Sequence, residues 1–213
     1  MDETDRRARL DDVNRSTWAE VAEEFAIEGW SDPGELGALP EHSCGLVVFS
    51  SNGIDAVDHE DRQRVLAGVR RVLSAGGTFV FSTLNKDNPL FGAHPGTAPV
   101  MTWVPGSLLP VDPDAVPVRV TPPTDDVSWL RPVRNGQRLR GELRDEGEWG
   151  LAAFAAHEFG LLTHFTTLRG AVAELDHHGF DVDAVFPCDS ARAQTIAEPF
   201  TGMYMHLVAR TRT

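Results

Sequence analysis

Two unbroken apolar runs frame the most regular part of the chain. LVVFS (Leu46–Ser50) and TFVFS (Thr78–Ser82) carry no charge and no proline, the pattern of strands covered on both faces. Between them, Asn52 and Gly53 break the chain, and Asp58 is placed to cap a helix with Glu60 and Asp61 in its first turn. Val65, Leu66, Val69, Val72 and Leu73 then recur at helical spacing and give that helix one apolar face, which Gly76-Gly77 is expected to end. A strand, a crossover helix and a parallel strand predict a right-handed βαβ unit.

Outside this unit the pattern is looser. Val13, Trp18, Val21, Ala22 and Phe25 mark one face of an N-terminal helix, and Pro33 suits the start of a short second one. Residues 85–135 hold most of the prolines and show no clear period, as in a lid or a binding loop. From Arg138 the text alternates again. RLRGELRDEGEWGLAAF predicts a hairpin turning near Asp145–Gly147, and HEFGLLTHFTT (His157–Thr167) predicts a strand ending at a cap. A helix over Thr167–His177, ended by Gly179, precedes the strand text FDVDAVFP, and YMHLVARTR (Tyr204–Arg212) predicts a last strand.

The strand LVVFS, the turn SNGID, the helix ending in RRVL and the turn and strand SAGGTFVFST together resemble the middle of class I S-adenosylmethionine (SAM) dependent methyltransferases. WSDPGEL before them and ELDHHGFDVDAVFP after them resemble the same family. The resemblance implies an α/β, Rossmann-like sheet whose strand order is 3-2-1-4-5-7-6. It also implies SAM, held by a Gly-rich loop after the first strand and by a carboxylate ending the second. Here the text passes from GELGAL straight to LPEHSCGLVVFS, so strands one to three and that loop are missing. What remains is a truncated fold of order 4-5-7-6 with an added antiparallel hairpin. The whole of 1–213 reads as a single domain, with 1–40 an N-terminal helical segment and 85–150 an insertion or lid. LVVFS becomes a bare edge, and such an edge pairs or must be covered. A homodimer or heteromer through Leu46–Ser50 is therefore expected.

The 213 residues carry a net charge of -13, which argues against nucleic acid and against anionic membrane surfaces. Two cysteines make neither a disulfide framework nor a Cys-type zinc site. The charged N-terminus lacks the apolar core of a signal peptide, and no apolar run approaches the roughly 20 residues of a membrane span. A soluble, cytoplasmic protein is expected.

Ligands in open α/β sheets lie at the carboxyl ends of the strands. That edge places Asn52, Gly53, Thr83 and Asn85 as substrate-binding candidates, with His164 beside them. Asp55, His59 and His157 are the candidate acids and bases, the histidines because an unperturbed imidazole titrates near pH 6.5. His157 and His164 stand seven apart, on opposite faces if one strand holds both. HExxxxxH is not a zinc pattern, so no metal site is expected. The five tryptophans are assigned to packing or to covering the sheet edge. With no loop to hold SAM, no cofactor is expected. The chain reads as a methyltransferase-fold protein that has lost its own SAM site. It would isomerise, cyclise or eliminate a small-molecule substrate by positioning and acid–base help. Two alternatives are a SAM-dependent small-molecule methyltransferase completed by an oligomer or partner subunit, and a non-catalytic accessory subunit.

Overall fold

The computed structural model describes residues 36, 38–49, 52–94, 130–157, 159–188, 193–194, 200 and 202–213. The expected N-terminal helix and most of the proline-rich stretch lie outside these residues. β1 (Cys44–Phe49) and β2 (Leu73–Asn85) run parallel, joined by α1 (His59–Val72). Asp58 caps α1, its Oδ1 accepting from the Asp61 N–H at 2.8 Å. Val65, Leu66, Val69 and Val72 are buried with Phe79, Phe81, Leu207 and Ala209 in the main core. β7 (Tyr204–Thr211) lies antiparallel on the other side of β2, and β6 (Phe180–Pro187) lies antiparallel beyond it. The run β1-β2-β7-β6 is the 4-5-7-6 order that the resemblance implied.

The added hairpin is also present. β3 (Arg144–Asp145) and β4 (Trp149–Ala153) pair antiparallel, and β4 pairs antiparallel with β5 (Leu162–Thr166). β5 then joins β2 in parallel, at Leu84↔Phe165 and Asn85↔Thr166. β1 and β5 thus share one side of β2, β1 along its first part and β5 at its carboxyl end. α3 (Leu168–His177) follows β5. Thr167 caps it by accepting from the Gly170 N–H at 2.9 Å, and Gly179 ends it at φ 78°, where a side chain would be strained.

Several boundaries differ from the sequence expectation. LVVFS is not covered on both faces: Val47 is buried, but Leu46 is 57% and Val48 55% exposed. Strand alternation puts these two on the opposite side from Val47, and α1 packs only on the Val47 side. α1 ends at Val72, four residues before Gly76, because Leu73 is already extended (ψ 135°). β2 therefore begins at Leu73, and its pairing with β1 slips between Cys44 and Leu46 to absorb the extra residues. Arg138 closes a helix, α2 (Leu130–Leu139), instead of opening a strand. The strand expected from His157 begins at Leu162, since Ala155–His157 is a 3-10 turn.

The hairpin is tightly seated. A Cβ at Gly150 would stand 2.5 Å from Phe91 Cζ and 2.6 Å from the Arg144 carbonyl. Gly150→Ala must push β3 off β4. It is expected to cost about 1–3 kcal/mol, the usual range for overpacking, read as a lower urea midpoint at unchanged m. A midpoint equal to wild type would show that β3 yields freely.

A candidate polar site between α1, α3 and the added hairpin

The site begins where β1 stops. The chain turns through Asn52, left-handed at φ 57°, into the 3-10 turn Gly53–Asp55. Asn52 is fastened by its backbone N–H, which donates to Ser82 Oγ at 2.9 Å. Asp55 is thereby carried into the gap between the end of β1 and the start of β5. Its Oδ2 accepts the Leu84 backbone N–H at 2.7 Å, and its Oδ1 accepts from Thr83 Oγ1 at 2.6 Å.

Arg62 completes this arrangement. One turn into α1, it stands at a position of the apolar stripe and is 0% exposed. Its Nη1 donates to Asp55 Oδ1 at 2.6 Å and its Nε to Glu174 Oε2, from α3, at 2.9 Å. Burial pushes the Asp55 carboxyl up to about 7, against the pull of Arg62, the Thr83 hydroxyl and the Leu84 N–H. Gln63 Nε2 donates to Glu174 Oε1 at 3.0 Å, and Gln63 Oε1 meets His178 Nε2 at 2.9 Å. Two helices are thus stitched together by polar groups over an otherwise apolar interface.

His59, the first residue of α1, faces this network from its open side. Its Nδ1 is 3.0 Å from His164 Nε2 and 3.6 Å from Glu174 Oε1. The Trp149 indole lies flat on the His59 ring (centroids 4.0 Å, planes 4° apart) and nearly parallel to His164 (5.6 Å, 10°). Arg144 sits over the indole at 5.3 Å. The His59 side chain remains 27% exposed and Glu174 11%, while His164 is 0% exposed and its Nδ1 has no hydrogen-bond partner. Burial lowers both imidazoles from their ordinary values. For His59, Glu174 works against this; for His164 the shift is large, with Arg62 and then His59 adding to it. Neutral imidazoles at neutral pH can share one proton across the 3.0 Å contact, accept a proton from a reactant, or ligate a cation.

The structure thus joins Asp55 to Thr83, and His59 to His164, within one network through Arg62 and Glu174. Asn85 lies apart: it is fully buried, and its Nδ2 donates to the Phe200 and Gly202 carbonyls at 2.9 Å each. His157 sits in the turn between β4 and β5, edge-on to Phe154. Sequence reasoning missed Arg62, Gln63, Glu174 and Trp149. Arg62 could have been found: an arginine at 62 shares the stripe of Val65, Leu66 and Val69, where a charge needs a partner. Spacing pointed to no metal ligand set, yet His59, His164 and Glu174 bring one donor atom each to within 4.8 Å of one another.

A separate cleft of about 400 Å³ opens between α2 and the hairpin, lined by Gly136, Leu139, Leu143, Ala152 and Phe159 among others. It holds none of the polar cluster. Among the described residues no strand precedes β1, none pairs with its outer edge, and no Gly-rich loop follows a strand there. No described helix is long and apolar enough to cross a membrane.

No family model and no curated protein matches the sequence. Among solved structures, the chain is similar to a SAM-dependent methyltransferase from Methanosarcina mazei. The TM-score is 0.45 at 13% identity, over 85% of this chain and 65% of that one. It is similar to one from Mesorhizobium loti (TM-score 0.42, 22% identity, 81% of this chain and 63% of that one). A third, from Clostridium acetobutylicum, has a TM-score of 0.44 at 10% identity, over 92% of this chain and 70% of that one. The chain spans less than two thirds of the first two.

Proposed function

We propose that this chain is a SAM-independent enzyme of methyltransferase-like fold that acts on a small molecule at the His59 cluster. The observation that carries the reading is the His59–His164 pair: an imidazole reachable from solvent, held neutral, 3.0 Å from a second and fully buried imidazole under the Trp149 indole. His59 takes or gives the proton. His164 fixes its tautomer through the 3.0 Å contact, and Glu174 stabilises the imidazolium that forms on His59. Asp55, Thr83 and Arg62 brace the end of α1 that presents His59. Asn52 and Gly53 border the turn that carries Asp55. Such a site suits an isomerisation, cyclisation or elimination, in which proton transfer and positioning supply the rate.

The bare β1 supports a second reading. Leu46 and Val48 are exposed on an edge strand that has no outer partner among the described residues. A second subunit that pairs there would supply the missing strands and, with them, a SAM site.

Calorimetry with SAM on protein of known oligomeric state separates the two. No heat of binding at millimolar SAM is the expected result. Saturable micromolar binding would overturn the SAM-independent reading and make methyl transfer the lead; its appearance only in a heteromer would place the missing half in the partner, and only in a homodimer would place the site across two copies.

A further inference from the structure

We infer that His59, His164 and Glu174 form a site for one divalent transition-metal ion. Metal–nitrogen and metal–oxygen bonds of about 2.1 Å put neighbouring ligand atoms about 3.0 Å apart at right angles and about 3.4 Å apart at the tetrahedral angle. The contacts of His59 Nδ1 with His164 Nε2, at 3.0 Å, and with Glu174 Oε1, at 3.6 Å, fall on this scale. All three donor atoms lie within 4.8 Å of one another, so small side-chain rotations bring them onto one ion.

The ligands are also held. His59 is fixed at the start of α1 and stacked on Trp149. His164 lies within β5, where it pairs with β4 at Leu151. Glu174 is gripped through its other oxygen by Arg62, while Gln63 donates to Oε1 and leaves that oxygen a second lone pair. Outer partners of this kind orient metal ligands and tune their affinity. Two imidazoles and one carboxylate are borderline donors, suited to zinc, cobalt, nickel or ferrous iron in preference to magnesium or calcium. Three protein ligands leave coordination positions free, and the His59 side chain is 27% exposed.

Two neutral imidazoles 3.0 Å apart hold one proton between them, and when a cation takes its place that proton moves to the other nitrogen of its own ring, leaving both facing nitrogens free to ligate. This inference uses the same cluster as the reading above but not its reaction, since metal binding is measured without SAM or substrate.

The test is a titration of chelator-treated protein with cobalt(II), followed by visible absorption and calorimetry, then displacement by zinc. Expected are one ion per chain, d–d bands of a nitrogen-ligated centre, and a loss of about tenfold or more in affinity for His59→Ala. Glu174→Gln, which keeps hydrogen-bonding capacity, is expected to weaken binding as well, and circular dichroism checks that both variants are folded. No stoichiometric binding by wild type would overturn the inference, and so would equal affinity in both folded variants. Either failure leaves the SAM-independent reading standing, and SAM binding would remove that reading without touching this one.

Discussion

Arg62→Ala is expected to be the most destabilising single change in the described structure, at about 3–5 kcal/mol. Asp55 and Arg62 are both 0% exposed, and the Glu174 side chain is 11% exposed. Removing the guanidinium leaves two acceptors without their cation and opens a void at the α1–α3 interface. The Leu84 N–H and the Thr83 hydroxyl still reach Asp55, but hydrogen bonds alone do not offset a buried charge. For a chain of this size each kcal/mol moves the melting temperature by about 2–4 °C, so a fall on the order of 10 °C is expected. Urea unfolding followed by circular dichroism would measure it. The double variant Asp55→Asn, Arg62→Met is the informative control. Asn keeps an acceptor for Leu84, Met refills the volume, and of the two carboxylates only the partly exposed Glu174 is left without its cation, so part of the loss should return. A single-variant cost below about 1 kcal/mol would show that water reaches the pair.

How much of this could be read in the chain depended on range. Asp58 and Thr167 could be placed as caps because a cap is a local matter, settled within three residues. The order 4-5-7-6 followed from text around each strand and a resemblance that covers them all. The depth of Leu46 and Val48 did not follow, because an apolar run looks the same whether or not a neighbour covers its second face. The end of α1 was misplaced for a related reason: Gly76-Gly77 marks a turn, but Leu73 left the helix first to enter the core. The polar cluster was the least legible part. His59 and His164 are 105 residues apart, and Glu174 comes from a third element. The parity argument for His157 and His164 assumed one strand, whereas His157 closes a 3-10 turn and the strand begins only at Leu162. Arg62 was the exception, a charge standing in an apolar stripe.

That cluster also sets how stability should respond to acid. His164 is fully buried, and burial first, then Arg62, then His59 hold its imidazole well below the ordinary value. In the unfolded chain it takes a proton near pH 6.5, while the folded state does not. Below that pH the unfolded state binds more protons, so stability falls as pH falls, by up to about 1.4 kcal/mol per pH unit for one group. His59 acts in the same sense, its burial outweighing the pull of Glu174. Asp55 acts in the opposite sense: with its carboxyl raised to about 7, the folded state holds the extra proton between about pH 4 and 7, and acid favours folding there. The wild-type profile is the difference of these terms, so the contribution of His164 is isolated by comparison with His164→Asn, which can still bond to His59. With chelator present, urea midpoints of the two proteins should differ most near pH 8, and wild type should lose ground steadily below pH 6.5. A gap that stays constant from about pH 8 to 5 would mean that His164 takes up its proton in the folded protein as readily as in the unfolded one, and that the cluster is wet.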